Sequence, residues 1–138
     1  MNTFHLSLAV PDLDEAVGFY RDLFGIEPAK RKPDYAKFEL ADPPVALALN
    51  SSTKPGLSHL GIRHETSAEV EQASERLARS GLVTLDERDT TCCYARQDKV
   101  WVSDPAGNRW EVYTVIEDVE EARDDTSGCC ADTAAACC

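Results

Sequence analysis

The sequence predicts an α+β fold: two tandem βαβββ modules forming one curved mixed sheet around a metal-binding cleft. Three observations predict it. A strand, a helix and three further strands are legible over residues 3–50 and again over 57–116. Superposing His5 on His59 also superposes the two helices and their closing glycines, Gly25 and Gly81, within a few residues. Each histidine stands on the less apolar side of an alternating strand.

Phe4, Leu6, Leu8 and Val10 share one strand face, and His5, Ser7 and Ala9 the other. Pro11 ends this strand, and Asp12 with Glu15 makes a capping-box variant. Leu13, Ala16, Val17, Tyr20, Leu23 and Phe24 then recur at helical spacing up to Gly25. Short strands are expected near Glu27–Arg31, Tyr35–Leu40 and Val45–Asn50, separated by Pro33 and Asp42-Pro43-Pro44. In the second module, Leu57–Arg63 alternates with His59, Gly61 and Arg63 on one face. Thr66 and Glu69 open a helix whose stripe is Val70, Ala73, Leu77 and Ala78 and whose stop is Gly81. Strands near Leu82–Asp89, Lys99–Asp104 and Arg109–Val115 complete the unit, the last two joined by the turn Asp104-Pro105-Ala106-Gly107-Asn108.

The 138 residues suit one domain, set at residues 1–116, followed by a tail over 117–138. Of the net charge of -11, the tail's seven acids and one arginine account for -6. Clustered cations are missing, which excludes nucleic acid as a partner. No apolar run is long enough for a membrane span, and the first residues lack the positive region of a signal peptide, so a cytoplasmic protein is expected. The acidic tail holds nothing large to bury and is expected to be disordered.

Cysteine occurs as three vicinal pairs: Cys92-Cys93, Cys129-Cys130 and Cys137-Cys138. Such spacing fits neither structural zinc nor a secreted disulfide framework. Free thiols open to soft metals or metalloids are expected instead. Adjacent strand residues face opposite ways, so cooperation between Cys92 and Cys93 requires a turn or bulge there. Two thiolates could replace both oxygens of a trivalent organoarsenical, R–As(OH)2; the alternative is a pair of half-buried small hydrophobes. The four tail thiols are candidate accessory ligands that scavenge a soft ion.

His5 and His59 hold equivalent places in the two modules, and Glu111 is a lone acid between Trp110 and Val112. Two imidazoles and a carboxylate with open positions make the facial triad of non-haem iron, although the residues alone do not choose Fe(II) over Zn, Ni or Mn. The first-module equivalent of Glu111 falls near Leu47, where nothing can coordinate. His64 is out of phase with His59 and is read as structural, and Lys99 as a solvated lysine.

The segments DLDEAVGFYRDLFGIEP and KVWVSDPAGNRWEVY resemble the vicinal oxygen chelate superfamily of glyoxalases, extradiol dioxygenases and antibiotic-resistance proteins. Within it, TCCYARQDKVW and a Cys-rich tail are similar to the organoarsenical carbon–arsenic lyases and the cadmium-induced proteins. The resemblance implies an enzyme of arsenic detoxification. It would cleave the carbon–arsenic bond of methylarsonite and trivalent aromatic arsenicals to arsenite, using Fe(II) and dioxygen. By position, His5, His59 and Glu111 match the family's catalytic iron ligands, and Cys92 and Cys93 its arsenic-binding pair. The chain would act as a monomer or homodimer. The rivals are a cadmium- or arsenic-sequestering protein without catalysis, and a glyoxalase-like isomerase or transferase.

Overall fold

The computed structural model describes residues 1–120. Residues 121–138 of the tail expected to be disordered, with the thiols Cys129, Cys130, Cys137 and Cys138, lie outside the described residues; its first two residues, Glu117 and Asp118, are instead paired in the last strand. In chain order the elements are β1 (Thr3–Val10), α1 (Leu13–Phe24), β2 (Lys30–Lys32), β3 (Tyr35–Ala41), β4 (Pro44–Ser51) and β5 (Gly56–Arg63). Then follow α2 (Ser67–Arg79), β6 (Leu85–Cys92), β7 (Ala95–Ser103) and β8 (Arg109–Asp118). The expected pair of βαβββ modules is present.

All eight strands form one sheet in the order β2-β3-β4-β1-β5-β8-β7-β6, curled into a half-barrel. Each module closes with a parallel pair, β1 with β4 and β5 with β8. The modules join through the antiparallel pair β1 and β5, so both histidine strands lie at the centre of the sheet. Every other residue of a strand faces the trough, and the rest face a helix.

The helices cover the outer face, and their ends follow from sequence. Asp12 accepts the Glu15 N–H at 3.0 Å, and Gly25 closes α1 in the left-handed region at φ 68°. Thr66 and Glu69 cap α2 reciprocally in a full capping box. Leu13 of α1 packs with Phe38, Leu47 and Leu49, joined by the half-buried Val17, Tyr20 and Phe24. Beneath α2 the cluster is smaller: Val70, Ala73, Val100 and Val112.

Four strand boundaries differ from expectation. Between Pro28 and Pro33 only Lys30–Lys32 pairs with β3. The start of β6 moves from Leu82 to Leu85 because Gly81, at φ 78°, and Leu82 bond back to the last turn of α2. Strand β7 begins at Ala95 rather than Lys99, since a two-residue turn sets Ala95 opposite Cys92. Strand β8 continues past Val115 to Asp118, still paired with β7.

Candidate metal centre

Register puts the three predicted ligands together. His5 on β1 lies opposite Gly61 on β5, and Gly61 lies opposite Glu111 on β8. His59, two residues before Gly61, shares its face. His5 Nε2 and His59 Nε2 are 3.3 Å apart, and Glu111 Oε1 lies 3.2 Å from the first and 3.3 Å from the second. All three side chains are buried in the trough. Their ligand atoms fall within 4.8 Å of one another, so one ion could touch all three.

Neighbours hold each ligand in place. His59 Nδ1 contacts Ser58 Oγ at 3.0 Å, which directs its Nε2 at the cluster. Trp101 meets the His59 ring edge-on at 5.1 Å, and Tyr113 meets His5 at 5.2 Å. Burial, together with His59 and Lys99, lowers the His5 pKa to about 4 against the opposing pull of Glu111, leaving the imidazole neutral and able to coordinate. Burial raises the Glu111 carboxyl, but Lys99, His59 and His5 outweigh it and hold the group ionised well below the usual carboxylate range. Two imidazole nitrogens and a carboxylate oxygen converging in a buried site are suited to a divalent cation.

Lys99 corrects the sequence reading. It is not solvated; it is 1% exposed, and its Nζ lies 3.2 Å from Glu111 Oε2. Burial lowers its pKa, yet Glu111 and Cys93 raise it more, so the ammonium stays charged. With Oε2 engaged by Lys99, Glu111 offers Oε1 to the two histidines. The sequence signal was the alternation Ala95, Gln97, Lys99, Trp101, which shares one strand face; the partner across β8 depended on a register that no local pattern shows.

The first-module counterpart of Glu111 also shifts by one residue. Ser7, equivalent to Gly61, pairs with Ala48, while Leu47 belongs to the core under α1. Ala48 is buried on the trough face and cannot coordinate.

The vicinal cysteines lie at the hairpin between β6 and β7. Cys92 ends β6 opposite Ala95, and Cys93 and Tyr94 form the hairpin turn at φ 51° and 59°. Two successive left-handed residues make a type I′-like turn, costly for side chains larger than Gly or Asn, and such strain concentrates at functional sites. Cys93 lines a cavity of roughly 20 Å3 with His5, Lys99 and Glu111, room for about one water. Cys92 is buried and disulfide-bonded, contrary to the free thiol expected from sequence.

The hairpin tip docks across the trough on β2 and β3. Tyr94 O accepts from Lys30 Nζ and from Val119 N, both at 3.0 Å. Its hydroxyl donates to Asp34, and Lys32 Nζ sits 5.2 Å from its ring centroid. Nothing in the sequence linked Tyr94 to residues some sixty positions earlier.

Residues 3–112 match the family described as Glyoxalase/Bleomycin resistance protein/Dioxygenase superfamily. A protein of Thermomonospora curvata named trivalent organoarsenical cleaving enzyme is 49% identical, over 94% of this chain and 89% of its own. The cadmium-induced protein CadI of Mycobacterium bovis is 52% identical over 87% of this chain and 80% of its own. Among solved structures, an extradiol ring-cleaving dioxygenase from B. fuscum superposes with a TM-score of 0.65 at 22% identity. That match covers 84% of this chain and 33% of the dioxygenase, and is a likeness of fold. No described helix is long and apolar enough to cross a membrane.

Proposed function

The chain belongs to the glyoxalase/bleomycin resistance protein/dioxygenase superfamily, and on that footing we propose that it is an Fe(II)- and O2-dependent carbon–arsenic lyase. Its substrates are trivalent organoarsenicals, methylarsonite and aromatic arsenicals, and its product is arsenite. The carrying observation is that Cys93, one of the two vicinal cysteines, lines the same small cavity as His5 and Glu111 of the three-ligand cluster. Relatives named for organoarsenical cleavage, at 49% and 42% identity, support the substrate class.

In this reading His5, His59 and Glu111 hold ferrous iron, which when bound supplies the positions and electrons for dioxygen chemistry. Cys92 and Cys93, both as thiols, condense with R–As(OH)2: two S–As bonds form, two As–O bonds break, and two waters leave. Reduction of Cys92 is the first requirement. The Cys93-Tyr94 turn must lift for substrate to enter, because the closed cavity holds only a water, and its return excludes solvent from the reacting bond. Lys99 engages Glu111 Oε2, which leaves Oε1 as the oxygen that would face an ion held with the two histidines.

The test is anaerobic reconstitution of the reduced protein with Fe(II) and methylarsonite, followed by admission of air and speciation of the arsenic. Arsenite formed only after air, with oxygen consumed, supports the lyase. Arsenical retained on the protein without oxygen uptake supports the second reading, a sequestering protein, which the likeness to cadmium-induced proteins favours. Turnover without air, on Ni or Zn, would point to glyoxalase-type chemistry.

A further inference from the structure

We infer that Gly61 is a positioning residue of the metal centre: its missing side chain is the slot through which Glu111 reaches the two histidines. The inference rests on the metal-site reading above. His5, Gly61 and Glu111 form one row across β1, β5 and β8, all on the trough face. Neighbouring strands are about 4.8 Å apart, so roughly two such spacings separate the backbones of His5 and Glu111. For Oε1 to come within 3.2 Å of His5 Nε2, the Glu111 side chain must lean across the intervening strand, over residue 61.

A Cβ at residue 61 would meet the Glu111 carbonyl oxygen at 2.7 Å, Glu111 Cγ at 2.8 Å and His5 Cβ at 3.5 Å. The first two are closer than real Cβ atoms come. One belongs to paired backbone, so it has little freedom to yield. Among the described residues the positive-φ glycines are Gly25, Gly56, Gly81 and Gly107, and Gly61 is not one of them. Backbone conformation therefore does not demand glycine here; the demand is for space beside Glu111. His5, His59 and Glu111 are the residues that would touch the ion, and Gly61 decides whether the third can arrive.

The experiment is Ni(II) binding to the full-length reduced protein, by calorimetry, with thermal unfolding of the metal-free proteins alongside. Gly61→Ala is expected to bind Ni(II) at least tenfold more weakly than the wild type. Gly18→Ala, in open space on α1 with its nearest neighbour at 3.9 Å, is expected to bind normally. In a Glu111→Ala background, adding Gly61→Ala should weaken binding no further, because the carboxylate that the added methyl displaces is already gone, even though its close approach to the residue 111 carbonyl remains. A merely structural glycine would lower the unfolding temperature without that coupling. Gly61→Ala affinity within threefold of wild type overturns the proposal. If Gly61→Ala does not fold, recovery of folding in the Glu111→Ala background supports it, and continued failure overturns it. Should Glu111→Ala itself leave Ni(II) binding unchanged, the metal-site reading fails instead, a result distinct from either.

Discussion

The two modules share a topology but divide the work unequally. The first is built around apolar contact: Phe38, Leu47 and Leu49 are buried under α1 with a ring of aromatic neighbours. Into the trough it sends His5 and the small Ala46 and Ala48 from its two central strands, with Tyr35, Lys37 and Glu39 from β3 further out. The second has the thinner apolar cluster under α2, and its trough face carries His59, Glu111, Lys99, Gln97 and the thiol hairpin. Buried polar groups are costly unless paired, so a module crowded with them needs a partner that supplies stability. The joined β1 and β5 let the first module act as frame for the chemistry held by the second.

The sharpest way to break that division is to damage the frame. Phe38→Ala removes a fully buried ring from the first module and should cost about 4 kcal/mol in urea unfolding. Molecules still folded should keep wild-type Fe(II) affinity, since Phe38 faces the helix and not the trough.

Lys99→Met tests the other side. It leaves Glu111 ionised and buried without its ammonium, and should destabilise the metal-free protein by about 3 kcal/mol. Bound Fe(II) should restore part of that loss by taking over as the compensating charge, which a thermal-shift comparison with and without metal would show. A stability unchanged by the substitution would mean that the second module does not depend on this pair.

Smaller effects are expected where solvent shares the interaction. Thr66→Ala removes the capping hydroxyl of α2 and should cost about 1 kcal/mol. Glu39 on β3 and Arg63 on β5 form a two-pronged pair, at 2.7 and 3.0 Å, that ties the modules across the trough. Burial raises the Glu39 carboxyl, but Arg63 and Lys37 outweigh it and lower its pKa below 4.5. A depressed carboxylate pKa stabilises above the unfolded value and loses that contribution as pH falls through the folded one. The difference between wild type and Glu39→Gln should therefore be present at pH 7, under about 1 kcal/mol because the pair is part-exposed, and shrink below about pH 4.5.

The same division governs what could be read from sequence. His5 and His59 were legible because a repeat marks equivalent positions, and Glu111 because a lone acid interrupts an apolar alternation. Helix ends were legible because Asp12, Gly25, Thr66 and Glu69 act locally. Lys99 was misread because its pairing depends on how β7 is registered against β8, where Tyr113 lies opposite it and Glu111 lies on the diagonal. The docking of Tyr94 on Lys30 and Asp34 was invisible for a related reason: the curl of the sheet brings its two outer hairpins together, and no periodicity reports curvature. Gly61 appeared as an ordinary strand glycine until its neighbours were in place.

The most direct test of the metal centre is anaerobic Fe(II) titration of the reduced protein beside its Glu111→Ala and Cys93→Ser variants. One ion per chain is predicted for the wild type and for Cys93→Ser, with binding weakened at least tenfold in Glu111→Ala. Binding that survives Glu111→Ala but disappears with Cys93→Ser would show that the ion sits on the thiols, and would contradict a centre built from His5, His59 and Glu111.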